Sequence, residues 1–175
     1  MRIGLLSDSH ENTGALRDAL TLFSDLDLHA LVHCGDICHL ESLYMLNTLK
    51  TKVWLVAGNM DQYIIKSLET ATHATNVTFR QNSIELPLEN GKYLAATHGH
   101  NSYILDNLVY SKQFAYVCHG HTHRVQDTHS DSTRIICPGA ISGPRYPDFA
   151  TAAILDSAAD SLDFYDIATG KSVTF

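Results

Sequence analysis

Short apolar segments that each end in small and polar residues are the feature of this chain that most constrains its fold. The first three segments lie at residues 2–6, 30–34 and 53–57. Their length and their apolar character on both faces predict central strands of a sheet that is buried on both sides. Residues 13–24 and 40–50 carry apolar side chains at helical spacing, with Asn12 or Thr13 as the candidate cap of the first helix. The alternation of strand and helix with short joints predicts a right-handed parallel sheet.

The second half of the chain has a different pattern, with short strand-like segments and tight turns. Residues 83–88 and 92–97 predict a hairpin around Glu89-Asn90-Gly91, and residues 103–112 predict a further helix. The remaining strands are predicted at residues 114–118, 125–129, 134–137, 150–156 and 161–165. We therefore expect a second, largely antiparallel sheet that packs on the first.

Length and charge limit the classes of protein to consider. A chain of 175 residues fits a single domain, 1–175, that buries roughly 70% of its unfolded surface. The net charge of −7 and only 12 lysines and arginines argue against a broad nucleic-acid surface. No run approaches the roughly 20 apolar residues of a membrane span, and no signal peptide is recognised. The four cysteines form no Cys-x-x-Cys pair, so no zinc knuckle is expected. Because no export signal is recognised, free buried thiols and a cytoplasmic location are expected.

Residue types that bind metals follow five of the predicted strands. In chain order they are Asp8 and His10, Asp36, Asn59, His98, and His121 with His123. Open α/β folds bind ligands beyond the carboxyl ends of their strands, so these side chains are expected at one edge of the sheet. Asp8 and His10 are two residues apart, and an extended backbone would direct both toward one ion. The Asp-x-His triplet also occurs at residues 27–29 and 127–129, so the position after a strand carries the prediction.

The mixture of donor atoms indicates which ions such a site would take. Carboxylate, imidazole and amide oxygen together suit Mn²⁺, Fe²⁺, Co²⁺, Ni²⁺ or Zn²⁺ better than Ca²⁺ or Mg²⁺ alone. Seven protein ligands are too many for one closed tetrahedral zinc site, but they fit two ions with positions left for water. We therefore expect two divalent transition-metal ions, with Mn²⁺ as the first candidate.

These motifs identify a family resemblance over residues 1 to about 147. The chain resembles the calcineurin-like metallophosphoesterases in Asp8-x-His10, Gly35-Asp36, Gly58-Asn59-x-Asp61, His98 and Gly120-His121-Thr122-His123. Its short length and its Gly-Asn-Met-Asp and Gly-His-Thr-His sequences resemble the small YfcE-type phosphodiesterase branch. The resemblance implies a four-layer α/β/β/α sandwich, with two packed mixed sheets flanked by helices, and a dinuclear metal site. It implies one ion held by Asp8, His10 and His123, a second held by Asn59, His98 and His121, and Asp36 as the bridge.

Further catalytic and substrate contacts are less sharply defined. Many relatives have a proton-donating His where this chain has Met60, and His100 is the candidate replacement, with a solvated loop residue as the alternative. Asp61 is expected to orient a ligand or the turn that carries it. Asn59 and Arg145 are the candidate substrate contacts, although Arg145 also fits an ordinary surface position. Four further histidines are interpreted as ordinary core or surface residues: His33, His73, His119 and His129.

The leading hypothesis is a metal-dependent phosphodiesterase that hydrolyses a small phosphate diester, with phosphomonoesterase activity left open. Hydroxide bound at the dinuclear centre would attack phosphorus. The main alternative is a non-catalytic binding module on the same fold, similar to a retromer subunit that serves as a scaffold. A nuclease ranks third because the chain is acidic. No membrane partner is expected, and the oligomeric state stays open.

Overall fold

The computed structural model describes residues 1–73 and 75–175. The strands in chain order are β1 (Arg2–Leu6), β2 (Ala30–His33), β3 (Lys52–Val56), β4 (Val77–Arg80), β5 (Ser83–Pro87), β6 (Tyr93–Thr97), β7 (Tyr116–Cys118), β8 (Val125–Ser130), β9 (Thr133–Pro138), β10 (Thr151–Asp156), β11 (Ser161–Asp166) and β12 (Lys171–Val173). The α-helices are α1 (Thr13–Ser24), α2 (Leu40–Leu46), α3 (Ile65–Thr72) and α4 (Ser102–Tyr110). Short 3₁₀ helices cover Asn59–Asp61 and Glu89–Gly91.

Two mixed sheets form the centre of the molecule. The first has seven strands in the order β12-β11-β10-β1-β2-β3-β4, and β1 to β4 are parallel. The second has five strands in the order β5-β6-β7-β9-β8, with β6, β7 and β9 parallel. Helices α1, α2 and α3 pack on the outer face of the first sheet, and α4 packs on the second. The predicted architecture of two packed mixed sheets flanked by helices is confirmed.

Both faces of β1 are covered, as its apolar sequence predicts. Leu6 packs among the residues of α1 and α2, whereas Ile3 and Leu5 face the second sheet. Each buried large aliphatic side chain contributes about 1.5–3 kcal/mol relative to an exposed one. Asn12 is the cap of α1, because its Oδ1 accepts a hydrogen bond from the Ala15 N–H at 3.1 Å.

The expectation of a largely antiparallel second sheet is wrong. The strands predicted at 150–156 and 161–165 are β10 and β11, and they extend the first sheet beside β1 instead. Five of the six residues of β10 are buried, a pattern typical of an interior strand. Apolar content shows that a strand is interior, but the identity of its neighbours depends on long-range pairing that no local pattern specifies.

Three elements lie where no helix or strand was predicted: α3, β4 and β12. Only Leu68 of α3 is fully buried, so the apolar stripe of this helix is too narrow to stand out. Helix α2 ends at Leu46, before the predicted end at residue 50. The hairpin of β5 and β6 around residues 89–91 is confirmed.

Strand register brings the ends of five strands to one edge. Leu6 at the end of β1 pairs with His33 of β2, which pairs with Leu55 of β3. In the second sheet Ala96 of β6 pairs with Cys118 of β7. The residues that follow these strands therefore emerge side by side. Among the described residues no disulfide forms, and three of the four cysteines are buried.

Helices of the described ranges are all too short or too polar to cross a lipid bilayer.

Candidate metal centre

Left-handed backbone turns carry most of the predicted metal ligands. Asp8, His10, Asp36, His121 and His123 have φ angles of 53°, 43°, 56°, 66° and 57°. Such angles are uncommon for residues other than glycine, and they persist only where the surrounding structure holds them. The convergence of these side chains is thus imposed by the fold.

The expectation that an extended backbone aligns Asp8 with His10 is wrong. Strand β1 ends at Leu6, and both residues lie in the turn that follows. Their side chains still approach each other, with His10 Nε2 4.0 Å from Asp8 Oδ1. The turn, rather than the alternation of a strand, brings them together.

Backbone hydrogen bonds hold the ligand-bearing loops against one another. The Asp8 N–H donates to the Gly35 carbonyl at 3.0 Å, and the His10 N–H donates to the Asp36 carbonyl at 2.9 Å. In the second sheet the Gly120 N–H donates to the His98 carbonyl at 3.0 Å. The loop after β1 is therefore held to the loop after β2, and the loop after β6 is held to the loop after β7.

One group of ligand atoms consists of Asp8, His10 and His123. Asp8 Oδ1 lies 3.2 Å from His123 Nε2, and the Nε2 atoms of His10 and His123 are 3.5 Å apart. His123 Nδ1 donates to the Gly143 carbonyl at 2.7 Å, so its Nε2 directs a lone pair inward. Asp8 is fully buried, and its Oδ1 accepts no hydrogen bond among the described residues. A buried carboxylate oxygen without a donor, facing an imidazole lone pair, fits a bound cation.

The other carboxylate oxygen of Asp8 is fully engaged. Oδ2 accepts hydrogen bonds from Ser7 Oγ at 2.6 Å and from the His121 N–H at 3.0 Å. Burial alone would raise the pKa of Asp8, but His123, His98 and Ser7 beside it hold that pKa below its ordinary value. The carboxylate is thus ionised near neutral pH and orients Oδ1 into the site.

A second group of ligand atoms consists of Asp8, Asp36 and His98. His98 Nε2 lies 3.3 Å from Asp36 Oδ2 and 3.0 Å from Asn59 Oδ1. Its Nδ1 donates to the Cys34 carbonyl at 2.8 Å, which leaves the Nε2 lone pair for a ligand. Asp36 Oδ2 is also 3.9 Å from His10 Nε2, so this carboxylate lies close to both groups, which have Asp8 in common.

Proximity to the two carboxylates also shifts the titration of the histidines. Burial alone would lower the pKa of His98, but the bond to Asp36 and the charges of Asp8 and Asp36 raise it above the ordinary value. The Asp8 carboxylate beside the ring likewise raises the pKa of His123. Both imidazoles therefore lie in a strongly negative environment that would also attract a cation.

His121 and His100 lie at the open side of the site. The His121 ring is 5.2 Å from the His98 ring, but His121 belongs to neither group of mutually close ligand atoms among the described residues. The exposed His100 ring is 5.4 Å from His98 and 6.2 Å from His121. Burial and the two neighbouring histidines lower the pKa of His100.

Asp61 contacts backbone rather than ligand atoms. Its carboxylate accepts hydrogen bonds from the Gly58 N–H at 2.8 Å, the Cys38 N–H at 2.7 Å and the Ile37 N–H at 3.3 Å. Burial raises its pKa. The side chain therefore joins the loop after β3 to the loop after β2, and it positions Asp36 and Asn59 indirectly.

Arg145 lies at the rim of the site. Its backbone N–H donates to the His123 carbonyl at 2.8 Å, and its side chain is exposed. Its positive charge lowers the pKa of His123, opposing the effect of Asp8.

Two glycines permit the close approach of these loops. A Cβ atom on Gly58 would overlap the Asp36 carboxylate, and one on Gly120 would overlap the Ser7 hydroxyl. Any other residue at either position would push a ligand loop out of place.

Supporting residues were largely missed from sequence. Ser7 holds Asp8, and Cys38 Sγ lies 3.4 Å from His10 Nδ1. His33 was interpreted as an ordinary core residue, and it is buried with hydrogen bonds to Ser9 and Gly35. The proximity of Ser7 to Asp8 in sequence is a usable signal, whereas the contacts of Cys38 and His33 depend on the meeting of two loops.

The calcineurin-like phosphoesterase superfamily domain matches residues 1–160. The phosphodiesterase MJ0936 of Methanocaldococcus jannaschii is 27% identical over 157 residues, which cover 90% of this chain and 93% of that protein. The structure of an archaeal phosphodiesterase superposes with a TM-score of 0.81 at 25% identity, over 94% of this chain and 98% of the other.

Two further solved structures share the fold. The phosphoesterase Yfce from E. coli superposes with a TM-score of 0.76 at 22% identity, over 99% of this chain and 97% of the other. Vps29 from Entamoeba histolytica, solved in complex with zinc, superposes with a TM-score of 0.68 at 15% identity, over 99% of this chain and 96% of the other.

The chain belongs to the calcineurin-like phosphoesterase superfamily. Its similarity to the phosphodiesterase MJ0936 and to the solved archaeal phosphodiesterase agrees with the predicted resemblance to the small phosphodiesterase branch.

Proposed function

We propose that the chain is a phosphodiesterase that works with two divalent transition-metal ions, with Mn²⁺ as the first candidate. The observation that carries the proposal is the fully buried Asp8 Oδ1, which has no hydrogen-bond donor in the described part of the chain and faces the lone pair of His123 Nε2. A phosphodiesterase relative along nearly the whole chain supports the choice of reaction. The preference for diesters over monoesters is part of the proposal.

The first proposed ligand set matches the group of Asp8, His10 and His123, whereas the second follows the family resemblance and shares only His98 with the group of Asp8, Asp36 and His98. One ion is assigned to Asp8, His10 and His123, the second to Asn59, His98 and His121, with Asp36 between them. When bound, such ions lower the pKa of a coordinated water toward neutrality and offset charge that develops on the phosphate.

Residues around the ligands keep their lone pairs directed inward. The Cys34 and Gly143 carbonyls accept from the Nδ1 atoms of His98 and His123, which leaves each Nε2 free. On the carboxylate side, the Met60 N–H donates to Asp36 Oδ1 at 2.8 Å, so that Oδ2 faces the site. Asp61 acts through the backbone of these loops and does not contact the substrate.

Protonation of the leaving group is assigned to His100. Met60 stands where many relatives carry a proton donor, and it cannot supply one. The exposed His100 ring adjoins His98 and His121 at the open side of the site. Arg145 at the rim and the Asn59 amide are assigned to contact the phosphate oxygens.

The test is hydrolysis of bis(p-nitrophenyl) phosphate with and without Mn²⁺. We expect Asp36→Asn and His98→Ala to reduce activity by more than about 100-fold, since loss of supporting partners alone costs 10–100-fold. Asp106→Asn and His73→Ala, which change exposed residues outside the site, are the matched controls and are expected to retain activity. Wild-type activity equal to that of the site variants would contradict the proposal.

A non-catalytic binding module is the second candidate, and the fold likeness to Vps29 fits it. Metal binding does not separate the two candidates, because that Vps29 structure contains zinc. Hydrolysis does: a chain that binds Mn²⁺ and cleaves neither diesters nor monoesters would favour the binding module. One domain over residues 1–175, a cytoplasmic location and the absence of nucleic-acid substrates stay predictions, and the oligomeric state stays open.

A further inference from the structure

A buried imidazole contacts both the loop after β1 and the loop after β2, which carry predicted ligands. His33 is the last residue of β2 and is fully buried. Its Nδ1 accepts a hydrogen bond from the Gly35 N–H at 3.3 Å, so the ring hydrogen lies on Nε2. Nε2 then donates to Ser9 Oγ at 3.1 Å, and Ser9 is fully buried as well. The ring therefore connects the loop after β1 with the loop after β2.

The two connected loops carry three predicted ligands in strained backbone. Asp8, His10 and Asp36 all have positive φ angles. This conformation is unfavourable for residues other than glycine, so the surrounding structure must hold it in place. Ser9 lies between Asp8 and His10, so a bond to Ser9 acts on both neighbours.

The protonation state of His33 suits a fixed support. Burial lowers the pKa of His33 to about 4, so the ring is neutral near pH 7. A neutral ring with one donor and one acceptor adds no positive charge behind a site that receives cations. Its hydrogen-bonding pattern also stays constant over the range in which most enzymes work.

We propose that His33 is a positioning residue, which sets the separation of the Asp8–His10 loop from the Asp36 loop and thereby the affinity of the centre for divalent ions. The inference rests on the proposed metal centre and extends it to a residue whose ring hydrogen bonds, among the described residues, go to Ser9 and Gly35 rather than to a predicted ligand. Ser9 Oγ is the atom through which His33 acts.

The test is a double-mutant cycle on Mn²⁺ affinity, measured by titration calorimetry without substrate. His33→Asn keeps an acceptor near the Gly35 N–H but does not reach Ser9, and Ser9→Ala removes the same bond from the other side. We expect each change to weaken Mn²⁺ binding about 10-fold, in the range typical of supporting partners. Because both remove one interaction, the double variant is expected to be no weaker than either single variant.

Two further variants separate positioning from general stability. His33→Gln places an amide donor near the Nε2 position and is expected to recover most of the affinity. Leu86→Ala removes a buried side chain between the sheets, toward the end of β5 away from the site. It is expected to lower the melting temperature and to leave Mn²⁺ affinity unchanged.

Three results would overturn the inference: affinities within twofold of the wild type, additive effects of the two changes, or an equal loss in Leu86→Ala. A wild-type chain that binds Mn²⁺ without hydrolysing any ester would contradict the proposed function instead, and calorimetry would still decide the role of His33. A wild-type chain that binds no Mn²⁺ would overturn both.

Discussion

At the scale of single residues, Asp8 shows how one side chain is divided between structure and chemistry. Oδ2 is held by Ser7 and by the backbone of His121, while Oδ1 has no donor among the described residues. An unsatisfied buried acceptor costs about 1–3 kcal/mol. The fold tolerates this cost at the point where a cation would remove it.

His100 offers a test of proton donation to the leaving group. We expect His100→Ala to lower kcat by about 10²–10⁴-fold for an alkyl phosphodiester, whose leaving alkoxide needs a proton. With p-nitrophenolate as the leaving group the loss is expected to be small, because that anion departs unprotonated. The control is His129→Ala, another exposed histidine. Equal losses on both substrates would contradict this role.

His33 predicts a dependence of stability on pH in the metal-free protein. Its pKa is about 4 in the folded state and 6.5 when unfolded, so the unfolded chain binds the extra proton between these values. The contribution of His33 is complete above pH 6.5 and is lost as the pH falls toward 4. A pKa difference of this size corresponds to on the order of 3 kcal/mol.

Urea unfolding with a chelator at pH 7 and pH 5 measures this contribution. His33→Asn is expected to be less stable at pH 7 but to lose less stability on acidification than the wild type. If the wild type and His33→Asn lost the same unfolding free energy between pH 7 and pH 5, the pH dependence would come from groups other than His33.

At the scale of elements, the ligand loops are short and are held by each other more than by the strands that precede them. Asp61 links the turn after β3 to the loop after β2 through three backbone N–H groups. The ligand loops can approach closely because Gly58 and Gly120 have no side chain. Two of the three elements that the sequence did not predict, α3 and β4, come after this turn in the chain.

Gly58 provides the test at this scale. In Gly58→Ala the added methyl group would overlap the Asp36 carboxylate, so we expect Mn²⁺ affinity to fall by about 100-fold or more. Gly14→Ala in α1 is the matched control, because the nearest atom to its added Cβ is Asn12 Oδ1 at 3.7 Å. That control is expected to keep full affinity and to gain up to about 1 kcal/mol in stability. Unchanged Mn²⁺ binding in Gly58→Ala would show that the loops can separate without harm.

At the scale of the whole molecule, the site joins the two sheets. His98 follows a strand of the second sheet, and its ring donates a hydrogen bond to the Cys34 carbonyl, which follows a strand of the first sheet. The His121 N–H, also from the second sheet, donates to the Asp8 carboxylate of the first. The sheets also share an apolar interior, which contains Ile3, Leu94 and Ile136. A cation bound between them would therefore act as a link across the sandwich.

Metal binding is accordingly expected to stabilise the whole fold. Mn²⁺ at 100 times its dissociation constant should add about 2.7 kcal/mol to the free energy of unfolding. Thermal unfolding with Mn²⁺ and with a chelator measures the difference. Asp36→Asn is expected to abolish most of the shift, whereas Asp106→Asn should retain it. A melting temperature insensitive to Mn²⁺ in the wild type would contradict binding at this site.

Local patterns in the sequence were enough to predict the parallel strands β1 to β3, the helices α1 and α2, and the family. Apolar periodicity indicates which residues are buried, and the spacing of motifs indicates which residues follow each strand. Both are local properties of the sequence. They do not report which strands become neighbours, and so β10 and β11 were expected in the wrong sheet.

Only the tertiary structure decided how the predicted ligands meet. Asp8 and His10 converge through left-handed turns held by Gly35 and Asp36, and no extended segment would reproduce that arrangement. The support from His33 depends on hydrogen bonds between loops 24 residues apart in sequence. Such contacts arise only when packing brings distant segments together, because their energies depend on neighbours that the local sequence does not specify.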